Sequence, residues 1–404
     1  MGDVQQSATS TWTSISSPAA SRRQDGARTL GRVDVHENPA DADAAWAALE
    51  DSPGGSIYQS RRFLLPWLRT LGEAGGITPM IVVAHDARGE PVALLPLGVS
   101  RSGPARIAGF LGGADSNANL GLFKPGLDLS PADLESVLRA AAAKTRLKPD
   151  IFVLTNQPKK WDGVPNALDL FSSLPSASYC HGGVLDADPA VFLGIHQSKD
   201  AAKKLRKKQK RLEDSGALRF FIPRTAPDIA RVLDAFFAQK VATFRQKNIH
   251  SAFETPEMRS FLERSCCYGP NGAPPAIELY ALEHDGSVIA TYGGGQHLGH
   301  LHLMFNSYDM DPEISRSSPG DLLLRMLLEQ KCREGLRGFD LGVGEARYKN
   351  SWCDYSEPMF DSVLPITALG HASRIAEVAR RAAKRWIKQS KWAWPLARML
   401  MRRG

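Results

Sequence analysis

The sequence predicts an α+β protein made of two similar halves, and three observations carry that expectation. Strand-like runs occur as hairpin pairs, 79–84 (PMIVVA) with 91–99 (PVALLPLGV), and 276–283 (AIELYALE) with 287–294 (SVIATYGG). Each pair follows a stretch of helical spacing and precedes further strands, a helix and a buried strand. At 404 residues the chain has room for two domains, or three, at roughly 100–200 residues each.

Residues 1–31, rich in Ser, Thr, Gln and Ala, read as a disordered leader with no apolar run long enough for a secretory signal. Residues 41–49 read as a short helix, and 58–71 (YQSRRFLLPWLRTL) as a helix interrupted by Pro66. The turn DARGE closes the first hairpin, 107–111 and 119–123 are further strands, 132–143 is a helix and 150–154 (DIFVL) a buried strand. The second half repeats the order. Residues 226–244 place Ile229, Val232, Leu233, Phe236 and Phe237 on one helical face. The hairpin turns at HDG, and 300–305 (HLHLMF) is a third strand. Residues 321–334 form an amphipathic helix with Leu322, Leu323, Met326 and Leu327, and 338–341 (GFDL) opens a last strand. The expected units are thus 32–180, then 181–366 with a basic helix at 198–214, then a basic amphipathic helix over 367–404.

Hydrophobic content of 43% and charged content of 23% are ordinary for a soluble globular protein. No run of about 18 uncharged apolar residues suggests a membrane span. The five cysteines (Cys180, Cys266, Cys267, Cys332, Cys353) are odd in number and lack metal-ligand spacing. They read as reduced thiols of a cytoplasmic protein, and no metal is expected.

The net charge of +7 is unevenly placed: 371–404 carries ten Lys or Arg against Glu377 alone, or +9, which leaves the remainder at −2. That tail has a helical stripe of Ile375, Val378, Ala379, Ala382 and Trp386 among cations. The pattern suits an anionic membrane surface on the inner face of the membrane, or a basic helix packed on the body. Between the halves, 197–214 holds eight Lys or Arg. A solvated face accounts for them, as does an anion site for a phosphate-bearing ligand or nucleic acid.

Two segments carry candidate chemistry. Arg316, Ser317, Ser318, Pro319 and Gly320 open the second-half helix. Such starts present unpaired amides that favour an anion, and an arginine beside them suits a phosphate. Residues 339–352 (FDLGVGEARYKNSW) gather Asp340, Glu345, Tyr348, Lys349 and Trp352 at the end of a strand, where pockets form. His300 and His302 share one strand face, a placement more often met in packed or surface histidines than in bases.

At these residues the chain resembles the CelD/BcsL-like acyltransferases, a branch of the GNAT superfamily linked with exopolysaccharide loci and related in architecture to the FemAB peptidyltransferases. The resemblance rests on F-D-x-G-x-G-E-x-x-Y-K-x-x-W at 339–352, S-P-G at 318–320, the basic helix at 199–211 and the hairpin at 278–294, with 58–72 and 92–99 in support. It implies two tandem GNAT-like domains, each a mixed central sheet flanked by helices, with chemistry in the second. The implied reaction passes an acetyl or acyl group from acetyl-CoA or another acyl-CoA to an amine or hydroxyl of a sugar or exopolysaccharide precursor. The donor pyrophosphate would lie on Arg316, Ser317, Ser318 and Gly320. Asp340 or Glu345 would deprotonate or orient the acceptor, Tyr348 would protonate the leaving thiolate, Lys349 would balance charge, and Glu278 is a second base candidate. Two alternatives stand beside this. One is FemAB-like aminoacyl transfer from aminoacyl-tRNA, marked by salt-sensitive tRNA binding. The other is a catalytically degenerate accessory protein of polysaccharide synthesis, marked by binding neither tRNA nor acyl-CoA.

Overall fold

The computed structural model describes residues 30–170, 173–246, 248, 252–344, 346 and 348–389. Residues 1–29 of the expected leader, Glu345 and 390–404 lie outside the described residues. The first half runs β1 (Leu30–His36), α1 (Asp43–Leu49), α2 (Arg61–Trp67), β2 (Thr78–Asp86), β3 (Pro91–Ser102), β4 (Ala105–Phe110), β5 (Leu122–Phe123), α3 (Pro131–Lys144), β6 (Ile151–Pro158), a small hairpin of β7 (Lys160–Trp161) and β8 (Val164–Pro165), and β9 (Ser173–Val184). The second runs α4 (Pro189–His196), α5 (Lys199–Ser215), β10 (Leu218–Phe221), α6 (Ala226–Gln246), α7 (Pro256–Cys266), β11 (Glu278–His284), β12 (Ser287–His297) and β13 (His300–Tyr308). It continues through α8 (Pro312–Ser315), α9 (Pro319–Arg333), β14 (Gly338–Val343), α10 (Lys349–Trp352), β15 (Tyr355–Pro365) and α11 (Ala368–Gln389).

The halves share one plan. In each, a strand and two helices lead into an antiparallel three-strand meander, and a helix then returns the chain to a strand parallel to the third. In the first half β4 and β6 are the parallel pair; in the second, β13 and β14 are. A crossover helix is what a parallel pairing requires, since a tight hairpin turn can only reverse the chain.

The closing strands are exchanged between halves. β9, which follows β6 in sequence, pairs with β14 of the second half, while β15 pairs with β6 of the first and with β9. One continuous sheet results, in the order β1-β2-β3-β4-β6-β15-β9-β14-β13-β12-β11-β10, with β5 on β3. β9 runs across position 180, where the repeated order of elements placed the boundary between units.

Strand periodicity divides the core. Ile81 and Val83 of β2 enter one cluster with α1, α2, α6 and α7, which spans both halves on one face of the sheet. Met80, Val82 and Ala84 enter another beneath α3. α4, α5 and α9 cover the same opposite face in the second half. Burial on both faces explains the near-continuous apolar runs of the two hairpins.

Three local readings are corrected. The helix does not break at Pro66 but continues as a π-turn over Leu68–Gly72. Residues 119–121 are not strand, and only Leu122 and Phe123 pair. α7 was legible but left unassigned. Thr255 caps it, Pro256 opens it, and Met258, Phe261, Leu262 and Cys266 form its buried face.

Candidate active site

The second half has an opening in its sheet. β13 and β14 pair only at His300 with Gly338, Leu301 with Phe339 and His302 with Asp340. Beyond that register they part. On β13, Leu303 lies opposite Gly294 and Phe305 opposite Gly293, so Met304 is an extra residue in a β-bulge, which bends the strand and leaves one residue out of the ladder. On β14, Gly342 turns with φ 75°, and a Cβ there would meet Asn117 Nδ2 at 2.5 Å. Only glycine admits both the left-handed turn and that close neighbour. Asn117 comes from the first half and donates to Leu303 O at 3.2 Å and Tyr58 Oη at 2.7 Å. In the first half the matching edge of β6 is bonded by a loop: Asn119 donates its N–H to Asn156 O at 2.9 Å and its side-chain amide to Thr155 O at 3.0 Å.

Two cavities lie on either side of this point. One, of about 390 Å³, enters the gap between the strands past Lys240, Met304, Asn306, Leu341 and Tyr348. The other, of about 410 Å³, lies beside the last paired residues. His300, His302, Phe339, Asp340, Tyr355 and Glu357 line it, and the β7–β8 hairpin closes it with Trp161 and Asp162. That hairpin turns at Asp162 and Gly163, both at positive φ. It is latched by Arg337, which donates to Asp162 at 2.9 Å, and by Glu357, which accepts from Lys160 N at 3.0 Å.

Between the cavities stands a buried pair. The parallel register places His302 beside Asp340, with Nδ1 to Oδ2 at 2.6 Å. The other carboxylate oxygen accepts from Gly342 N at 2.9 Å. His302 is 1% exposed and Asp340 4%. Trp161 stacks on the imidazole at 5.5 Å with planes 19° apart, and Tyr58 meets it edge-on at 5.9 Å. Burial and then the Asp340 charge push the Tyr58 hydroxyl well above its usual range, so it is a neutral donor or acceptor here. His302 Nε2 is buried without a hydrogen-bond partner. Sequence reasoning set His302 aside because its partner lies 38 positions away in the chain. The available signal was the two-residue spacing of histidines on a strand adjoining FDLG.

The other sequence-predicted residues fall into three places. Asp340, Tyr348 and Lys349 come together around the gap. Burial pushes the Tyr348 hydroxyl up to about 12, and Asn306 is its hydrogen-bond partner, so it is a protonated donor at neutral pH. Lys349 is buried and donates to Gly342 O at 2.9 Å and Val343 O at 3.3 Å, holding the turn after β14.

Glu278 sits elsewhere, on β11. Its carboxylate accepts from Tyr268 at 3.0 Å, Tyr280 at 2.7 Å, Gln296 at 3.1 Å and Lys331 at 3.3 Å.

The turn before α9 is the third place. Arg316 is exposed and ion-paired with Glu313. Ser317 is fully buried with an unpartnered hydroxyl, and Ser318 is left-handed at φ 52°. Lys208 of the basic α5 reaches this turn, its amine 2.6 Å from Ser318 Oγ. The basic helix and the helix start, separate features in the sequence, therefore form one anion-favouring corner, with Lys208 as the nearby cation and Arg316 turned to Glu313. Asp321 in the first turn of α9 opposes an anion when ionised, but burial raises its carboxyl.

Comparison with known proteins agrees with the geometry. Residues 199–350 match the family model of the acetyltransferase (GNAT) domain. No curated protein sequence matches the chain. Among solved structures, FemX superposes with a TM-score of 0.55 at 10% identity, over 83% of this chain and 98% of that one. A conserved protein of unknown function from Bacteroides thetaiotaomicron VPI-5482 superposes at 0.51 with 13% identity, over 82% and 100%. These likenesses establish the fold. The chain is built as two tandem GNAT-like folds on one sheet, and the match of its residues 199–350 to the acetyltransferase (GNAT) domain supports an acyltransferase.

Proposed function

We propose that this enzyme transfers an acetyl or longer acyl group from acyl-CoA to a hydroxyl or amine of a sugar or exopolysaccharide precursor, as the CelD/BcsL-like resemblance implies. The observation that carries the reading is a pair of cavities flanking the point where β13 and β14 part, one lined by His302 and Asp340 and the other by their chain neighbours Leu303 and Leu341. A donor entering one and an acceptor entering the other would face each other across His302, Asp340 and Tyr348. Asn306 and Tyr348 would meet the thioester arm. Lys208, Ser317, Ser318 and Gly320 would hold the phosphates, with Arg316 recruited if it leaves Glu313. Aromatic walls at Trp161 and Tyr355, with polar groups between them, suit a sugar ring. Calorimetric titration with acetyl-CoA and with a long-chain acyl-CoA tests the donor. Lys208→Ala is expected to weaken binding by about 10–100-fold, the value of one charge-assisted hydrogen bond. An absence of acyl-CoA binding together with salt-sensitive tRNA binding would turn the reading to aminoacyl transfer.

A membrane surface is the second partner, supported by α11. No helix among the described residues is long and apolar enough to cross a membrane. Yet Ile375 and Trp386 are 74% and 67% exposed, with Ala379 and Ala382 exposed between them. The opposite side of the helix is tied to the sheet by Arg381, which pairs with Asp361. The apolar stripe thus points outward beside Arg374 and Arg380, as an interfacial helix requires. Because α11 also packs on β15, substitution is a cleaner test than truncation. The double variant Ile375→Glu/Trp386→Glu is expected to lower co-sedimentation with phosphatidylglycerol vesicles at least about tenfold. Unchanged binding would remove the membrane from this account.

A further inference from the structure

We infer that His302 is the general base of the acyl transfer, held by Asp340 as its positioning residue, and that the acceptor group is a hydroxyl. The inference rests on the acyltransferase reading above and adds to it the base and the acceptor class.

Three observations converge. First, the imidazole has a defined orientation: Nδ1 faces Asp340 Oδ2 at 2.6 Å, and the second carboxylate oxygen is fixed by Gly342 N. With the carboxylate as acceptor, Nδ1 carries the proton and Nε2 presents a lone pair. Second, that lone pair is buried and unpartnered, an unfavourable and uncommon state that a ligand's donor would relieve. The ring lines the 410 Å³ cavity, and the donor it lacks is an O–H or N–H arriving there. Third, His302 and Asp340 are the last paired residues before the strands part, while the next residue on each strand, Leu303 and Leu341, lines the gap cavity. A group bonded to Nε2 is therefore next to the place where a thioester in the gap would present its carbonyl carbon.

The acceptor class follows from proton chemistry. A neutral amine is nucleophilic enough to attack first and lose its proton after the bond has formed, so it needs no base in concert with attack. A sugar hydroxyl is too weak an acid to ionise first, so its proton must leave as the new bond forms. A buried imidazole backed by a carboxylate is the arrangement that manages this for serine in hydrolases, because the carboxylate stabilises the imidazolium as it appears. Here the acceptor O–H proton passes to His302 Nε2 while its oxygen attacks the carbonyl carbon. The tetrahedral intermediate collapses with cleavage of the C–S bond, and the thiolate leaves with that electron pair. Tyr348 protonates it, and the imidazolium returns a proton to Tyr348 through solvent. The net change is ester plus free thiol from alcohol plus thioester.

The test measures acyl-CoA hydrolysis and transfer by thiol release, with glucose and glucosamine oligosaccharides as hydroxyl and amine probes. Water serves as the minimal hydroxyl acceptor, so the base is testable before the natural acceptor is identified. His302→Ala is expected to lower both hydrolysis and hydroxyl transfer about 10²–10⁴-fold, to leave acyl-CoA affinity unchanged by calorimetry, and to recover part of the rate when free imidazole fills the space. If His302→Ala fails to fold, His302→Gln/Asp340→Asn removes the base together with the buried charge and is expected to show the same loss. Rates within about threefold of wild type in the folded variant, or transfer confined to amines and unaffected by the substitution, overturn the inference while leaving the acyltransferase reading intact. A wild-type protein that does not bind acyl-CoA overturns the reading itself, and the inference with it.

Discussion

Asp340→Asn is expected to reduce turnover by about 10²–10⁴-fold, roughly 3–5 kcal/mol of transition-state stabilisation, with acyl-CoA affinity and acceptor KM changed little. The argument is one of tautomers. Asp340 presents one oxygen to His302 and the other to Gly342 N. An asparagine that keeps its oxygen on Gly342 turns its NH₂ toward Nδ1, which must then accept. The proton moves to Nε2, and its lone pair is lost. If Asp340 were itself the base, as the sequence suggested, His302→Ala would leave the carboxylate in place and retain much of the rate. If the dyad acts as a unit, either change removes nearly the whole effect and the double variant is little worse than either single one. Steady-state kinetics on the three variants therefore distinguish the two roles. A rise in KM with unchanged kcat for Asp340→Asn would assign it to binding instead.

Lys331→Ala is expected to destabilise the fold by about 3–5 kcal/mol at neutral pH, the usual consequence of removing one partner of a buried ion pair. Lys331 is 1% exposed, although it lies on the amphipathic α9 where a lysine would ordinarily reach water. Its amine meets Glu334 at 2.8 Å and Glu278 at 3.3 Å and lies 4.9 Å from the centre of the Tyr280 ring. The effect is pH-dependent with a definite sign. Burial alone would raise the Glu278 carboxyl, but Lys331 and the hydroxyls of Tyr280 and Tyr268 outweigh it and hold the group below its ordinary range. A depressed carboxyl contributes stability above its unfolded value and loses it as pH falls through the folded one. Without Lys331 burial dominates, the carboxyl moves up, and protonation relieves the unpaired charge. The deficit should therefore narrow between pH 7 and about pH 4, where carboxyls titrate. Urea melts at the two pH values check this. A loss below about 1 kcal/mol at pH 7, as for an exposed pair, would show that the network is not strongly coupled.

Glu278 illustrates how far local reading reached. Its place on a hairpin strand was legible from SVIATYGG and the HDG turn, and the resemblance made it a second base candidate. Its four partners come from the loop after α7, from β11, from β12 and from α9. No spacing in the chain announces such a convergence. β9 and β15 escaped detection for a related reason. Their sequences (SLPSASYCHGGV and YSEPMFDSVLP) are rich in Ser, Gly and Pro, and their strand state is imposed by the neighbours they pair with rather than by intrinsic preference.

By itself the sequence determined the duplicated order of strands and helices, the basic α5, the apolar stripe of α11 and the strand that ends at FDLG. These depend on periodicity, caps and turn residues within a few positions of one another, where the physics is local. Only the tertiary structure decided which site those elements build. Strand exchange between the halves, the three-register pairing that seats His302 against Asp340, and the first-half residues Tyr58, Asn117 and Trp161 packed around them all depend on contacts between distant segments. A strand's two faces can be read from its alternation. Its neighbour and its register are set by the fit of the whole sheet, and here that register turns a histidine set aside in the sequence into the residue facing the cavity.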